Sequence, residues 1–112
     1  MTGKRHTILV VDDEASQREL LGGFVQSLGI EVREAASGEE ALESIERQPP
    51  DMMLLDVRLP GMSGVEVLAE TRKRHPGLRV LLITAHADLR QAVAALKSGA
   101  DDYLAKPVDL DE

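Results

Sequence analysis

The sequence predicts an α/β domain in which a five-stranded parallel sheet lies between two layers of helices. Three observations support this fold class: the chain has 112 residues, it contains five short aliphatic runs, and a helical pattern follows each run. This length suits a single domain, which we expect to span residues 1–112. Parallel strands buried on both faces appear as continuous apolar runs. Right-handed crossovers then place helices on both sides of a doubly wound, three-layer fold.

The composition is that of a globular protein, with 43% apolar and 29% charged residues. No apolar run approaches the roughly 18 residues of a membrane-spanning helix. The first six residues are not followed by the apolar segment of a signal peptide. There is no cysteine, which excludes disulfides and thiolate zinc sites. We therefore expect a cytoplasmic protein that does not contact membranes.

The charge argues against nucleic-acid binding by this domain. Thirteen Lys and Arg residues against twenty Asp and Glu residues give a formal net charge of -7. A surface that holds DNA needs a basic patch to contact the phosphates. The aromatic residues are one Phe and one Tyr, too few for a platform on which bases could stack.

The first strand is predicted at Thr7–Val11, which is β-branched and apolar. A helix follows it and ends near Gly29, a typical residue just beyond a helix C-terminus. Gly22 and Gly23 oppose this helix by about 1 kcal/mol each. The apolar spacing on both sides of them nevertheless stays in register. The residues expected on its apolar face are Leu21, Phe24, Val25 and Leu28.

The second strand is predicted over 30–35, and a second helix follows it. Ser37 is the expected N-cap, with Glu40 completing a capping box. Pro49-Pro50 ends this helix. Its expected buried stripe consists of Ala41, Leu42 and Ile45.

The third strand, 52–55, leads into a long loop over 56–63 and then into a third helix that ends before Pro76-Gly77. In the loop, Pro60 and Gly61 suit a turn, and Gly64 permits close packing where the helix begins. The fourth strand is predicted over 80–83. The residues expected to face inward from the third helix are Val65, Leu68 and Ala69.

A fourth helix precedes Gly99, its expected C-cap, and the fifth strand is predicted over 103–105. The chain then turns at 106–109 toward a helix that it barely begins, so we expect the fifth helix to be truncated or absent. A sheet face left uncovered would expose apolar residues, so either the sequence is a fragment of a longer regulator, which we favour, or another chain supplies the cover. We expect the fragment to be less stable than a longer form and to self-associate more readily. The apolar positions that mark the fourth helix are Leu89, Ala92, Val93 and Leu96.

Polar residues follow four of the five predicted strands. Asp12 and Asp13 follow the first strand, Asp56 the third, Thr84 the fourth and Lys106 the fifth. Binding sites of such sheets lie at the carboxyl ends of the strands. Each of these residues alone has a simpler explanation as a cap, a turn residue or a surface charge. Their occurrence together at one rim favours a functional site.

The chemistry of this rim points to phosphoryl transfer. Three carboxylates in one small pocket repel one another unless a cation joins them, and Lys106 or a hard divalent ion could do so. Mg²⁺ prefers oxygen ligands and commonly bridges carboxylates and phosphate. Asp56 could then act as the nucleophile, because carboxylates form acyl phosphates. Thr84 and Lys106 could contact the transferred oxygens.

Four segments closely resemble the receiver domain of bacterial response regulators: ILVVDDE at 8–14, MLLDVRLPGMSG at 53–64, LLITAHAD at 81–88 and GADDYLAKPVD at 99–109. They occur in the order and at the spacing of that family and cover most of the chain. The resemblance implies a flavodoxin-like fold with strand order 2-1-3-4-5. It also implies a phosphorylation-dependent switch in two-component signalling rather than an enzyme acting on other substrates.

The resemblance assigns roles to individual residues. Asp56 would accept a phosphoryl group from the phosphohistidine of a histidine kinase or from a phosphotransfer domain. Mg²⁺ would be bound by Asp13 directly, by Asp12 largely through water, by Asp56 and by the backbone carbonyl of Arg58. Thr84 and Lys106 would contact the phosphoryl group.

Switching and lifetime are implied in the same way. Thr84 and Tyr103 would form the switch, and a cis peptide before Pro107 would direct Lys106 into the pocket. Arg58 and His86 stand where the family varies, and we expect a longer-lived phosphorylated form because neither obviously positions an attacking water. The two remaining histidines, expected at the surface without partners, are His6 and His75.

Two other functions fit the sequence less well. A magnesium-dependent phosphatase with an aspartyl nucleophile typically has a general acid two residues later, where this chain has Arg58. It also needs a second domain to hold its substrate. A flavin mononucleotide binder needs a hydroxyl-rich loop after the first strand, where the acidic DDEASQ would repel the phosphate.

The segment 83–112 resembles receivers attached to enhancer-dependent transcription activators, with receivers of hybrid kinases and single-domain regulators as alternatives. The expected partners are a histidine kinase, a C-terminal output domain or protein target, and a second copy bound through the fourth helix, fifth strand and fifth helix.

Overall fold

The computed structural model describes residues 6–84, 89–97 and 99–105. The described chain forms a five-stranded parallel sheet with strand order β2-β1-β3-β4-β5. A helical crossover follows each of the first four strands, so the predicted doubly wound architecture and strand order are confirmed. The strands are β1 (Thr7–Val11), β2 (Glu31–Ala35), β3 (Met52–Asp56), β4 (Arg79–Thr84) and β5 (Asp102–Ala105). The helices are α1 (Ala15–Ser27), α2 (Gly38–Arg47), α3 (Gly64–Arg74) and α4 (Leu89–Lys97).

Two apolar clusters lie on opposite faces of the sheet because successive side chains of a strand point to opposite sides. On one face, Leu21 and Val25 of α1 pack against Val10, Leu54 and Ile83. The larger cluster contains Leu9, Val11, Met53, Leu55 and Leu82 from the strands and packs against α2 and α3. The alternation explains why the central strands have continuous apolar runs in their interior.

The buried face of α1 differs from the predicted one. Phe24 and Leu28, expected to face inward, are 38% and 59% exposed. The buried residues are Leu21, Gly22 and Val25. The helix lies over β2 at Gly22, where an added Cβ would stand 3.4 Å from Val32 Cγ1. With this face of the helix against β2, the adjacent stripe that contains Phe24 and Leu28 is left toward solvent.

One further helix position was predicted inward and is exposed, and one of the apolar positions that mark the fourth helix is exposed as well. Ala69 of α3 is exposed, while Val67 of the same helix is fully buried, because α3 packs against Gly38 of α2 through Val67. Val93 of α4 is also exposed. In α3 the apolar pattern alone favoured the wrong position.

The helix ends follow their predicted signals with one difference. Ser37 caps α2, and its hydroxyl accepts the N–H of Glu40. The Glu40 carboxylate, however, accepts the N–H of Ala36 at 3.1 Å rather than that of Ser37. The predicted reciprocal capping box is therefore half formed at α2. A complete one starts α3, between Ser63 and Glu66.

Two histidines were predicted to be surface residues without partners; His6 is at the surface as expected, whereas His75 is not fully so, and each lies near a carboxylate. His6 is exposed and lies 3.7 Å from Asp51, whereas His75 is partly buried and lies 3.6 Å from Glu46. Residues 106–112, where a fifth helix was expected to begin, lie outside the described residues. None of the helices in the described part of the chain has the length and apolar character needed to cross a membrane.

Candidate functional site

Asp12 and Asp13 follow β1 directly at the carboxyl edge of the sheet. The N–H of Asp12 donates to the carbonyl of Ala35, 3.2 Å away, and so extends the pairing with β2 by one residue. Asp12 is only 1% exposed, and its Oδ1 accepts the N–H of Glu14 at 3.0 Å. Asp13 is exposed. The N-cap of α1 is Glu14, without a side-chain cap bond, so neither aspartate caps this helix.

Asp56 is the last residue of β3 and is 5% exposed. Its Oδ1 accepts the backbone N–H of Arg58 at 3.0 Å, which orients the carboxylate. The next residue, Val57, donates its N–H to the carbonyl of Ile83 at 3.1 Å. Pairing between β3 and β4 therefore continues past Asp56. The residues before and after Asp56 are both paired with β4, which holds the backbone that carries the carboxylate.

The loop from β3 to α3 folds back against the end of β3. Gly61 has a φ of 70°, which the predicted turn requires. Gly64 donates its N–H to the carbonyl of Val57 at 2.9 Å. A Cβ on Gly64 would lie 2.7 Å from Val57 Cα and closer still to the carbonyl oxygen of Asp56, so no side chain fits there. The prediction of close packing at Gly64 is confirmed.

The three aspartates lie together. One carboxylate oxygen from each of Asp12, Asp13 and Asp56 lies within 4.8 Å of the others. Two of these groups are buried and one is exposed, so the cluster opens to solvent on the side of Asp13. An all-oxygen, all-acidic set of this kind fits a hard divalent cation such as Mg²⁺ rather than a metal that prefers nitrogen or sulfur ligands.

The other predicted residues lie on or beyond the neighbouring strands. Thr84 ends β4, one residue after Ile83, which pairs with Asp56. Tyr103 of β5 pairs with Leu82 and is partly buried against the larger apolar cluster. Three predicted positions lie outside the described residues: His86, Lys106 and Pro107.

Two residues near the acidic cluster were not found from the sequence. Arg18 of α1 donates through Nη1 to the backbone carbonyl of Asp12 at 2.6 Å and through Nε to Glu34 Oε1 at 3.2 Å. A basic residue in the first turns of the helix that follows the acidic pair was the available signal. It is weak, because a charged residue on an amphipathic helix usually faces solvent.

Comparisons with known proteins agree with this geometry. The response regulator receiver domain family matches residues 8–112. The DNA-binding transcriptional regulator NtrC of Escherichia coli is 42% identical over 109 residues, which cover 97% of this chain and 23% of that protein. The probable transcriptional regulatory protein TcrX of Mycobacterium tuberculosis is 41% identical over 98% of this chain and 47% of its own length. The chain thus spans about a quarter to a half of these relatives.

Solved structures show the same similarity. The receiver domain of NtrX from Brucella abortus superposes with a TM-score of 0.89 at 39% identity, covering 93% of this chain and 88% of that one. A putative response regulator from Chloroflexus aurantiacus gives 0.90 at 41% identity, covering 96% and 90%. With an acidic cluster at the carboxyl ends of β1 and β3 and a family match over nearly its whole length, the chain belongs to the receiver domains of response regulators.

Proposed function

We propose that this domain is a signalling switch that accepts a phosphoryl group on Asp56 from the phosphohistidine of a histidine kinase or phosphotransfer domain. The observation that carries the proposal is the convergence of the Asp12, Asp13 and Asp56 carboxylates within 4.8 Å at the carboxyl edge of the sheet. Family membership supports it further. The domain acts on no other substrate in this proposal.

The chemistry assigned to Asp56 is nucleophilic. A carboxylate oxygen attacks phosphorus, and an O–P bond forms as the bond from phosphorus to the donor nitrogen breaks. The electron pair of the broken bond stays on the imidazole ring of the donor. Because Arg58 holds Asp56 Oδ1 through its N–H, the carboxylate is already oriented before the donor arrives.

Mg²⁺ is the cofactor that the donor set fits. Asp13 would bind it directly, Asp12 largely through water, and Asp56 and the Arg58 carbonyl would complete the protein ligands. A bound Mg²⁺ would neutralise charge on the carboxylates and on the phosphoryl oxygens. Thr84 and Lys106 are assigned to the phosphoryl oxygens, and Thr84 with Tyr103 to transmission of the signal.

The output is proposed from the relatives. NtrC is described as a DNA-binding transcriptional regulator, and this chain covers 23% of it. We assign the present domain to the regulation of an output domain or protein target, with DNA contacts made elsewhere than on this acidic domain. Pairing of two copies through α4 and β5 is a further element of the proposal.

Labelling tests the assignment of Asp56. The domain is incubated with Mg²⁺ and either acetyl phosphate or a phosphorylated kinase, and the product is trapped with borohydride and mapped. We expect one alkali-labile label, on Asp56. Asp56→Asn should abolish it, whereas Asp102→Asn, at the opposite edge of the sheet, should not. Label elsewhere, or full labelling of Asp56→Asn, would overturn the proposal.

A further inference from the structure

Arg18 makes a contact that links α1 to the acidic cluster. Its guanidinium donates through Nη1 to the backbone carbonyl of Asp12 at 2.6 Å and through Nε to Glu34 of β2 at 3.2 Å. The side chain is 18% exposed, so it is held mostly within the protein. Two acceptors on two different elements fix the planar guanidinium in one orientation.

The hydrogen bond to Asp12 acts on the peptide group rather than on a carboxylate. This peptide group is rigid and planar, and it contains the amide nitrogen of Asp13. The orientation of the Asp12 carbonyl therefore sets the direction in which the Asp13 backbone continues. Asp12 is independently held by its burial and by its bond to the Glu14 N–H. Asp13 is exposed, and its backbone continues directly from the peptide group that Arg18 contacts.

We infer that Arg18 is a positioning residue for the divalent-cation site and acts by aiming the Asp13 carboxylate toward Asp56. This inference rests on the proposed function, because it assigns to Asp13 a direct contact with Mg²⁺. Arg18 forms an ion pair with Glu34, 3.2 Å away, and the role assigned to it is geometric.

The two possible roles of Arg18 have opposite consequences for Mg²⁺ affinity. If Arg18 acted through its charge, Arg18→Met would remove a repulsive cation and tighten binding. If it positions Asp13, the same variant weakens binding. We expect about tenfold weaker binding in Arg18→Met, the equivalent of one charge-assisted hydrogen bond. Arg18→Lys keeps the charge but cannot contact both acceptors, and should fall between Arg18→Met and the unaltered chain.

Arg33→Met is the matched control. Arg33 of β2 is also partly buried and donates to the backbone carbonyl and the hydroxyl of Ser44, away from the acidic cluster. The Arg33→Met variant loses the same charge and a similar hydrogen bond, but it should bind Mg²⁺ with the affinity of the unaltered chain. Calorimetric titration with Mg²⁺, well below each variant's melting temperature, measures the affinities.

Two more readouts separate positioning from other roles. Without metal, the amide resonances of Asp13 and Glu14 should shift in Arg18→Met and stay in place in Arg33→Met. At saturating Mg²⁺, phosphorylation of Arg18→Met by acetyl phosphate should regain the rate of the unaltered chain. Unchanged or tighter Mg²⁺ binding, or a rate that stays low at saturation, would overturn the role of Arg18 alone. Failure of the unaltered chain to bind Mg²⁺ would instead overturn the proposed function, and this inference with it.

Discussion

At the scale of single residues, the acidic cluster combines carboxylates in two different settings. Asp12 and Asp56 are buried and accept backbone N–H groups, whereas Asp13 is exposed. A carboxylate that is already hydrogen-bonded within the protein changes its orientation little when an ion binds. An exposed one is accessible to solvent and to a hydrated ion.

These settings predict different losses of Mg²⁺ affinity. Asp13→Ala should weaken binding by more than about tenfold, because it removes the only direct carboxylate ligand expected on the open side. Asp12→Ala should weaken it less, because this residue is expected to act largely through water. Titration calorimetry on both variants, with melting curves to confirm folding, makes the comparison. Equal losses, or tight zinc binding in preference to Mg²⁺, would contradict the site.

The second prediction at this scale concerns Gly64. Any Cβ there would overlap Val57 Cα at 2.7 Å, and backbone atoms cannot move aside as the end of a side chain can. Gly64→Ala should therefore lower the free energy of unfolding by about 2–3 kcal/mol. Gly77→Ala is the control, since a Cβ at Gly77 meets nothing within 4 Å. Urea denaturation of both variants decides the matter, and equal stability would refute the close approach.

At the scale of elements, the strands were the most predictable and the helix faces the least. The part of a strand that is buried on both faces of the sheet must be apolar, so β1, β3 and β4 are visible as aliphatic runs. For α1 the sequence contains two apolar stripes with the same helical spacing. Only contact with β2 at Gly22 selects the buried one, and a glycine carries no hydropathy signal.

The residues of the candidate site also differ in how well the sequence predicts them. The three aspartates were predictable because they follow strands, and parallel strands bring their carboxyl ends to one edge. Arg18 and Glu34 were not, because their contact depends on how α1 crosses β2. A hydrogen bond from a side chain to a distant carbonyl leaves no periodic trace in the sequence.

A prediction about α1 follows from its two central glycines. Gly23 is exposed, and a Cβ there would meet nothing within 4 Å. Gly23→Ala should stabilise the domain by about 1 kcal/mol and raise its melting temperature by about 4 °C. Gly22→Ala should gain less, because its Cβ would touch Val32 at 3.4 Å. Thermal melts that rank Gly22→Ala above Gly23→Ala would show that α1 does not lie on β2 as described.

At the scale of the whole molecule, Arg72 joins segments that are distant along the chain. Its guanidinium donates to the carbonyls of Gly99, at 2.7 Å, and of Leu78, and to Asp101 Oδ2 at 3.0 Å. Asp101 in turn accepts the N–H of Val80 at 2.8 Å. The Arg72 side chain of α3 thus connects the turn between α4 and β5 to the start of β4 through hydrogen bonds.

Arg72→Met should therefore destabilise the domain by about 2–3 kcal/mol, since partly buried carbonyls lose a charged donor. Arg74→Met is the control, because Arg74 is about half exposed and pairs with Glu46 and Glu70 at the surface. Its loss should stay below about 1 kcal/mol. Denaturant titration gives both values. A smaller loss of unfolding free energy in Arg72→Met than in Arg74→Met would show that Arg72 does not stabilise this connection.

The last prediction concerns transmission of the signal from the edge proposed to accept the phosphoryl group to β5. Thr84→Ala should still accept a phosphoryl group on Asp56. Phosphorylation should, however, change the affinity for a partner less than in the unaltered chain, since the switch is assigned to Thr84 and Tyr103. Thr7→Ala, at the other end of the sheet, is the control. Partner affinity and oligomeric state are measured with and without phosphorylation. Unchanged responses in both Thr84→Ala and Tyr103→Ala would disprove the mechanism.

The pairing of β1 with β3 also determines when the acidic cluster appears as the chain folds. Ile8 lies opposite Met52 and Val11 opposite Leu55, so the whole of α1, β2 and α2 lies between the paired residues. Such distant contacts form late, because much chain entropy must be lost before they are made. The three carboxylates are therefore not together in the unfolded chain. A metal-binding signal that develops during refolding would report when the central sheet forms, and not when any helix forms.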